Sequence, residues 1–504
     1  MLPRTAELAD TVGETRPAAY GQDVSAEIET TKSLDKYRFG LQDAVGAVLV
    51  LVAFIVGSRV ITDNSFLTHL ATGTFIVENG SVPSADIYSW TAPGEPWTVQ
   101  SWLPSVVYHL INSTLGGWAI RLMNGLLTAT LVGHLWNLTK GADQLLTRVV
   151  LVGSCVAIGA YLWTPRPLLF GLLALVLVVR VTHGWRSPAL LLPLLYVWVN
   201  SHGSFPLAGV YILLVIAGRW IDTRELDRRL VRVAVYAAAG AVLAMVNPVG
   251  WRILWFPIHL LGKGEALESV AEWASPTFRS PHEWVFLVLV GVLAVSLRRS
   301  APWSAVLPAC VFAMTALVAS RNLATASLIL AISLAPYMSG LFGSMDGRQP
   351  SRIASLVVGA CVVGFGLASF ALVSSAPVAL DRFPTEEVAW MEGRSLIAEQ
   401  DTTVAQRDFV GNYLTFKYGT ESRVFVDDRF DFYPQPVLDD HRSLVFGGDF
   451  SEIVDRRGFN VVLWERDTPF AYWLRDSNDW KIGYASEDWI VACHVDGDSA
   501  ATCE

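Results

Sequence analysis

Charge is scarce in this chain: Asp, Glu, Lys and Arg make up only 16% of its 504 residues, against roughly 25% in ordinary soluble domains. The shortage is uneven. Residues 1–40 and 376–504 are rich in charge, and the deficit falls on 41–375, where long apolar runs alternate with short polar breaks. With 52% hydrophobic residues overall, that middle excludes a conventional water-soluble domain. No basic stripe or arginine-rich helix is present, which excludes a nucleic-acid partner, and the net charge of -9 resides mostly at the two ends. Cysteine is sparse as well. Cys155, Cys310 and Cys361 lie in apolar runs and read as small core residues, whereas Cys493 and Cys503 can close a short disulfide loop if that end faces an oxidising compartment. No cleavable signal peptide is visible. The first apolar run starts near Val45 behind a polar tail, so it reads as a retained anchor, and the tail, 1–40, reads as disordered for want of bulky apolar groups.

What is present is a series of apolar runs of the length a bilayer demands, roughly 17–25 residues for a core of ~30 Å. They are Ala44–Val60, Trp118–Leu138, Val149–Trp163, Leu168–Val179, Ala189–Val199, Leu207–Ile221, Val231–Val246, Val285–Leu297, Ala305–Ala319, Leu323–Leu341 and Ile353–Val373. Leu168–Val179 and Ala189–Val199 are short, covering only ~20 Å each. The expectation is a mainly α, polytopic helical membrane bundle of about eleven spans, followed by a small α/β domain over 376–504, in which Arg423–Val426, Asn460–Leu463 and Trp489–Cys493 read as short strands rich in β-branched and aromatic residues.

Basic residues set its orientation, since Lys and Arg in short loops stay cytoplasmic. Lys32, Lys36 and Arg38 precede the first span, and Thr62–Ile120 then contains no Lys or Arg at all. Lys140 with Arg148, Arg180 with Arg186, Arg219 through Arg232, Arg298 with Arg299 and Arg348 with Arg352 mark every second connection thereafter. The N-terminus is therefore expected in the cytoplasm of a multi-pass plasma-membrane protein. The Thr62–Gly117 loop, the Asn247–Trp284 loop and the C-terminal domain are expected outside. The spans carry almost no ionisable residues, which weighs against an ion-coupled transporter or flippase.

Chemistry is thus left to the external segments. In the first loop Phe66, His69, Leu70, Gly73 and Val77 recur at helical spacing. They predict an amphipathic helix along the membrane surface, opened by Asp63, Asn64 or Ser65 and stopped at Asn79-Gly80. A second interfacial helix is predicted near Gln100–Ile111, with Trp102 and Tyr108 as headgroup-level aromatics. A third is predicted over Trp251–Leu261.

The order of short motifs resembles the C-type (GT-C) glycosyltransferase superfamily, in particular its uncharacterised bacterial multi-span members. They are Asp63, Phe66, His69-Leu70, Gly80-Ser81-Val82-Pro83, Asp86-Ile87-Tyr88-Ser89-Trp90-Thr91, Pro96-Trp97 and Gln100-Ser101-Trp102-Leu103. Farther on come Arg166-Pro167-Leu168-Leu169-Phe170-Gly171, Trp198-Val199-Asn200-Ser201-His202-Gly203, Asn247-Pro248-Val249-Gly250, Glu272-Trp273 and Val424-Phe425-Val426-Asp427-Asp428-Arg429. The resemblance implies transfer of a sugar from a polyprenyl-phosphate carrier to an extracytoplasmic glycan, lipid or protein acceptor. One departure matters. Asn64, Ser65, Leu67 and Thr68 stand where such members often have a second acidic residue and tryptophans, which argues against a metal-binding acidic pair at Asp63. A divalent metal has no clear ligand cluster here.

Such a transfer needs a carboxylate to take the acceptor's proton and fixed positive charge for the departing phosphate. Asp63 is the expected base, or else a helix cap. Asp86 is a second catalytic candidate, or forms an Asx turn after Pro83. Arg166, Arg252 and Arg321 fall at predicted external span ends, where topology gives no reason for arginine; they suit phosphate or snorkel to the interface. His69, His202 and Glu272 could line the same cleft, or simply pack. Asp427, Asp428 and Arg429 suit acceptor binding, or form a solvated turn with internal salt bridges. The alternatives to an enzyme are a non-catalytic lipid- or glycan-binding relative and a transporter.

Overall fold

The computed structural model describes residues 39–142, 144–264, 272–297, 301–338, 349–399, 401–495 and 503. The tail expected to be disordered, apart from Phe39 and Gly40, lies outside these residues, as do Lys32, Lys36, Arg38, Arg298, Arg299 and Arg348.

Each of the eleven apolar runs is helical over most of its length. In chain order the helices are α1 (Leu41–Gly57), α2 (Ser65–Asn79), α3 (Trp102–Leu115), α4 (Gly117–Leu138), α5 (Leu145–Gly159), α6 (Pro167–Thr182), α7 (Leu191–Val199), α8 (Pro206–Thr223) and α9 (Arg228–Leu243). Then come α10 (Arg252–Leu261), α11 (Pro281–Leu297), α12 (Trp303–Val318), α13 (Asn322–Leu334) and α14 (Arg352–Val373). Their ends follow local rules. Pro167 and Pro206 occupy first-turn positions that lack an internal hydrogen bond anyway. The Asp227 carboxylate caps the N-H groups of Arg229 and Leu230, and Gly80 ends α2 at φ 63°.

The expected number of spans requires correction. Among the described residues two helices, α8 and α14, are both long and apolar enough to cross a bilayer. Most of the other apolar helices run 10–17 residues, about 15–26 Å at 1.5 Å per residue, less than the ~30 Å hydrocarbon core. The reason lies in packing. Apolar residues at the ends of the runs belong to tight turns, and much of the apolar surface faces other helices. A continuous interior of Leu, Val, Ile and Ala is anchored by Trp163, Trp198, Tyr211 and Phe312. Two polar side chains inside it find carbonyls: the Asn124 amide donates to Gly57 and Trp163, and Thr128 donates to Ala53.

The bundle has two ends. At one, Gly40 pairs with Pro350, Arg229 donates to the carbonyls of Val181 and Thr182, and Asp222 accepts from Trp303 and Ser304. At the other, Ile61 pairs with Val378, and Arg121 binds the carbonyls of Ser58 and Ala376.

Beyond α14 lie α15 (Thr385–Glu392), β1 (Val404–Gln406), α16 (Asp408–Tyr418), α17 (Gln435–Phe446), α18 (Phe450–Arg457), β2 (Val461–Glu465), α19 (Pro469–Asp476), β3 (Trp480–Ala485) and β4 (Trp489–His494). The sheet order is β1-β2-β4-β3, with β1 parallel to β2 and the other pairs antiparallel. This is the expected small α/β arrangement, closed by a Cys493–Cys503 disulfide. One predicted strand is absent. Val424 makes a single bridge to Ser89 instead of joining the sheet, so this buried stretch ties the C-terminal unit to the first loop.

That tie changes the picture of α2. It is not a helix with one buried stripe on a surface, because Phe66, Leu67, Thr68, Leu70, Ala71, Thr72, Gly73 and Ile76 are all buried. Gly73 lets α3 approach so closely that a Cβ would lie 1.9 Å from the Ser105 carbonyl oxygen. On its other side α2 meets α16, where Thr68 donates to Asn412 Oδ1 at 2.8 Å. The first loop and the C-terminal unit share one core, with Phe66, Tyr88, Trp97 and Tyr108 packed together with Val424, Phe425, Phe432 and Tyr433.

Candidate functional site

The segment Thr164-Pro165-Arg166-Pro167 holds an arginine between two prolines at the mouth of α6. A residue before proline is pushed to extended backbone, and Arg166 adopts φ -107°, ψ 148°. From there its Nε donates to Asp63 Oδ2, and its Nη1 donates to Glu272 Oε1 at 2.5 Å. Asp63 is engaged on both oxygens: Oδ2 also accepts from Thr164 Oγ1 at 2.8 Å, and Oδ1 accepts from the Ser65 amide at 3.0 Å, opening α2. Its side chain is only 6% exposed. Burial works against charge on Arg166, but Asp63 and Glu272 outweigh it and raise the guanidinium pKa above its ordinary value. Arg166 is thus a permanent cation held between two carboxylates.

Glu272 is placed by backbone pairing. Its carbonyl accepts from the Arg321 amide at 3.0 Å and Ser320 Oγ at 3.1 Å, and Ala274 accepts from the Ser320 amide. This short zipper carries Arg321 over the Trp273 ring at 4.3 Å. Tyr161 Oη donates to the Ser320 carbonyl at 3.1 Å. Burial lowers the Arg321 guanidinium from its ordinary value, while Glu272 supports its charge.

Both histidines border this group. His69 Nδ1 meets Ser105 Oγ at 3.1 Å, and burial pulls its imidazole down to about 4, despite the opposing pull of Asp63. His202 Nδ1 accepts from the Ser204 amide at 3.1 Å. Burial, with Arg321 and His69 nearby, lowers it to about 3. Both are therefore neutral at pH 7. With its Nδ1 used as an acceptor, His202 carries its proton on Nε2 and offers a neutral donor there.

The C-terminal unit enters the same cluster. Asp428 Oδ2 accepts from Ser65 Oγ, and its amide donates to Asn412 Oδ1 at 3.2 Å. Burial and the neighbouring Asp427 push the Asp428 carboxyl up to about 7, against the hydrogen bond from Ser65. His69, Arg166, His202, Glu272, Arg321 and Asp428 are half-buried, so the cluster is reachable from outside, while the Asp63 side chain beneath them is nearly covered.

Asp86, Asp427 and Arg429 form a different group. Arg429 Nε donates to both Asp427 oxygens at 2.9 Å, and its Nη2 lies 2.6 Å from Asp427 Oδ2 and 2.9 Å from Asp86 Oδ1. The guanidinium stacks on Trp97, Phe432 and Tyr88 at 4.4–4.9 Å. Asp86 Oδ2 accepts from the Ser89 amide at 2.9 Å and Ser89 Oγ at 2.6 Å. Neither carboxylate has exposed side-chain surface. This is the Asx-type turn, closed by a buried cation, and it fastens the first loop to the C-terminal unit. The solvated turn considered for Asp427–Arg429 is not what forms. Arg252 also stands apart, exposed in the first turn of α10.

Thr164, Ser65, Tyr161 and Asn412 belong to the cluster without having been predicted from sequence. For Thr164 and Tyr161 the available signal was their place just before the Arg166-Pro167 motif; Asn412, far along the chain, had none. Among the described residues no group of three or more His, Cys, Asp or Glu side chains is placed to hold a metal ion. The strongest local cation is Arg166 itself.

No family model matches the chain, and no curated protein matches it. Solved structures do. The crystal structure of the Archaeoglobus fulgidus oligosaccharyltransferase tethered to an acceptor peptide with an NVT sequon superposes with a TM-score of 0.52 at 10% identity. The match covers 83% of this chain and 69% of that one. The same archaeal enzyme, AglB, in complex with an inhibitory peptide and a dolichol-phosphate, gives the same TM-score, identity and coverage. At that identity the likeness shows a shared fold.

Proposed function

We propose that this protein is a GT-C-type membrane glycosyltransferase that moves a sugar from a polyprenyl-phosphate carrier to an acceptor at the extracytoplasmic face. One observation carries the reading: Arg166, clamped between Asp63 and Glu272, lies with Arg321 in a half-buried polar cluster at one end of an otherwise apolar helical bundle. Two guanidiniums at such a place suit a phosphate that arrives on a lipid. Arg forks match phosphate oxygens in a bidentate way, and preorganised charge favours the leaving group.

The fold agrees with this reading, since the archaeal neighbour was captured with a dolichol-phosphate and with peptides. Membrane residence is supported by α14. Ile353, Leu356, Val362, Val363, Leu367 and Phe370 are each more than 60% exposed on it, a surface unsuited to water. In this reading the bundle is residues 41–375, and 376–504 form an extracytoplasmic unit on the cluster's side. The opposite end, with Arg229 and the other basic connections, faces the cytoplasm.

The test uses full-length protein in nanodiscs with radiolabelled polyprenyl-phosphate mannose, glucose and arabinose, and octyl glycosides as acceptors. Transfer that falls by 10²-fold or more in Arg166→Ala and Arg321→Ala is the expected result. Binding of polyprenyl phosphate without any transfer favours a non-catalytic lipid-binding protein instead.

A further inference from the structure

We propose that Asp428, delivered by the C-terminal unit, is the carboxylate that takes the acceptor's proton, and that Asp63 is a positioning residue for Arg166. This rests on the sugar-transfer reading above and assigns its chemistry to a residue more than 360 positions from the expected base.

The geometry separates the two carboxylates. Asp63 accepts from the Ser65 amide, Thr164 Oγ1 and the Arg166 guanidinium, and its side chain is almost wholly covered. Both of its oxygens are thus taken up in holding Arg166 and opening α2. Asp428, like Asp63 half-buried as a residue, has a single described side-chain hydrogen bond, from Ser65 Oγ to Oδ2. Among the described residues nothing bonds its other oxygen, which leaves it for an acceptor hydroxyl. Its backbone is fixed on one side by Asn412, which is itself bound to Thr68 of α2. On the other side the adjacent Asp427 is held by Arg429. Ser65 bridges the two carboxylates, donating its amide to Asp63 and its hydroxyl to Asp428. The charged groups that act on Asp428 are Asp427 and Asp63, which disfavour its ionisation, and Arg166, which favours it. Burial leaves its proton affinity close to neutral pH, the range in which a general base is most effective.

The step balances. The acceptor O–H bond breaks and its proton passes to Asp428. The acceptor oxygen bonds to the anomeric carbon while the bond from that carbon to the carrier phosphate oxygen breaks. The electron pair leaves on the polyprenyl phosphate, whose added negative charge faces Arg166 and Arg321.

The test compares wild type, Asp428→Asn, Asp63→Asn and Ser65→Ala as full-length protein in nanodiscs. Transfer from the three polyprenyl-phosphate sugars to octyl glycosides is followed from pH 5 to 9, with a thermal melt of each variant. Asp428→Asn is expected to lose 10²–10⁴-fold in kcat with donor KM little changed. Asp63→Asn is expected to raise donor KM. Ser65→Ala removes a hydrogen bond that favours the ionised form, so the acidic limb of the rate profile moves to higher pH; this readout survives even if Asp428→Asn misfolds. Asp428→Asn within threefold of wild type, or a Ser65→Ala profile that does not move, overturns the assignment. No transfer by wild type from any donor overturns the sugar-transfer reading, and the role of Asp428 with it.

Discussion

Replacing Arg429 with methionine should detach the C-terminal unit from the first loop, and the structure sets the size of the effect. The guanidinium is 7% exposed and pairs with both Asp427 and Asp86, neither of which has exposed side-chain surface. Methionine roughly keeps the aliphatic volume against Trp97, Phe432 and Tyr88, so most of the packing survives. What disappears is the only described side-chain cation between two buried carboxylates. Breaking a buried pair in this way costs about 3–5 kcal/mol, because the remaining charge is uncompensated. Burial already raises the Asp427 carboxyl and Arg429 is what opposes it, so without the cation its ionised form costs more and the loss is worse at pH 8 than at pH 5. The assay is limited proteolysis and thermal unfolding in nanodiscs at both pH values. The triple variant Arg429→Met, Asp86→Asn, Asp427→Asn serves as the control, since removing all three charges should recover much of the loss. If Arg429→Met matches wild type at pH 8, the knot does not join the two parts. Asp86→Asn alone, assayed alongside, judges Asp86. A catalytic Asp86 would lose activity as asparagine without losing stability, whereas the structure predicts a variant that loses stability first.

Three further outcomes follow. Asp428→Asn should melt higher than wild type at pH 8: the folded-state pKa is raised to about 7, so ionisation destabilises the folded protein above that value, and the advantage should fade as pH drops through 7 towards the unfolded value near 4. Cys493→Ser opens a link between residues 10 apart in sequence and should cost about 2–3 kcal/mol by loop entropy, read as a lower melting point without loss of transfer at low temperature. Gly73→Val sets a side chain against the Ser105 carbonyl; it should separate α2 from α3, displace His69 from Ser105 and abolish transfer, with near-ultraviolet circular dichroism reporting the loosened aromatic packing.

The helices were legible because each apolar run is bounded by residues with a local reason to stop it, such as Pro167, Pro206, Gly80 and Asp227. Their adequacy as spans was not, because apolarity does not reveal whether a side chain faces lipid or a neighbouring helix. Leu168 to Val179 is nearly all buried, whereas only 6% of α14's apolar window is buried, yet the two runs look alike as sequence. Local pattern also misread Arg423–Val426. Its β-branched and aromatic residues suit a strand, but its partner is Ser89, more than 330 residues earlier. The same long-range contact decides the fate of Asp427–Arg429, since no nearby residue announces Asp86 or Trp97 as their company.

In the cluster, Arg166 and Arg321 were legible as arginines out of place at external span ends, and Asp63 and Glu272 from their motifs; Arg252, which gave the same signal as the two arginines, stands apart. Charge at the head of an apolar helix is costly to leave unpaired, and Arg166 meets that cost on Asp63 and Glu272. The ranking among the carboxylates was not legible. Sequence places Asp63 in the motif position and Asp428 in a turn; only packing shows that the first is saturated by an arginine and the second is not. A bundle end alone offers cations suited to phosphate, and these same cations occupy the carboxylates they touch, as Arg166 does Asp63 and Glu272. A proton acceptor near neutral pH must then come from a surface that carries its own burial and its own like-charged neighbour. The C-terminal unit brings both to the cluster with Asp427 and Asp428, and the Arg429 knot holds it there. On this view the unit is part of the active site, and any change that loosens the knot should lower kcat before it alters the affinity for a lipid phosphate.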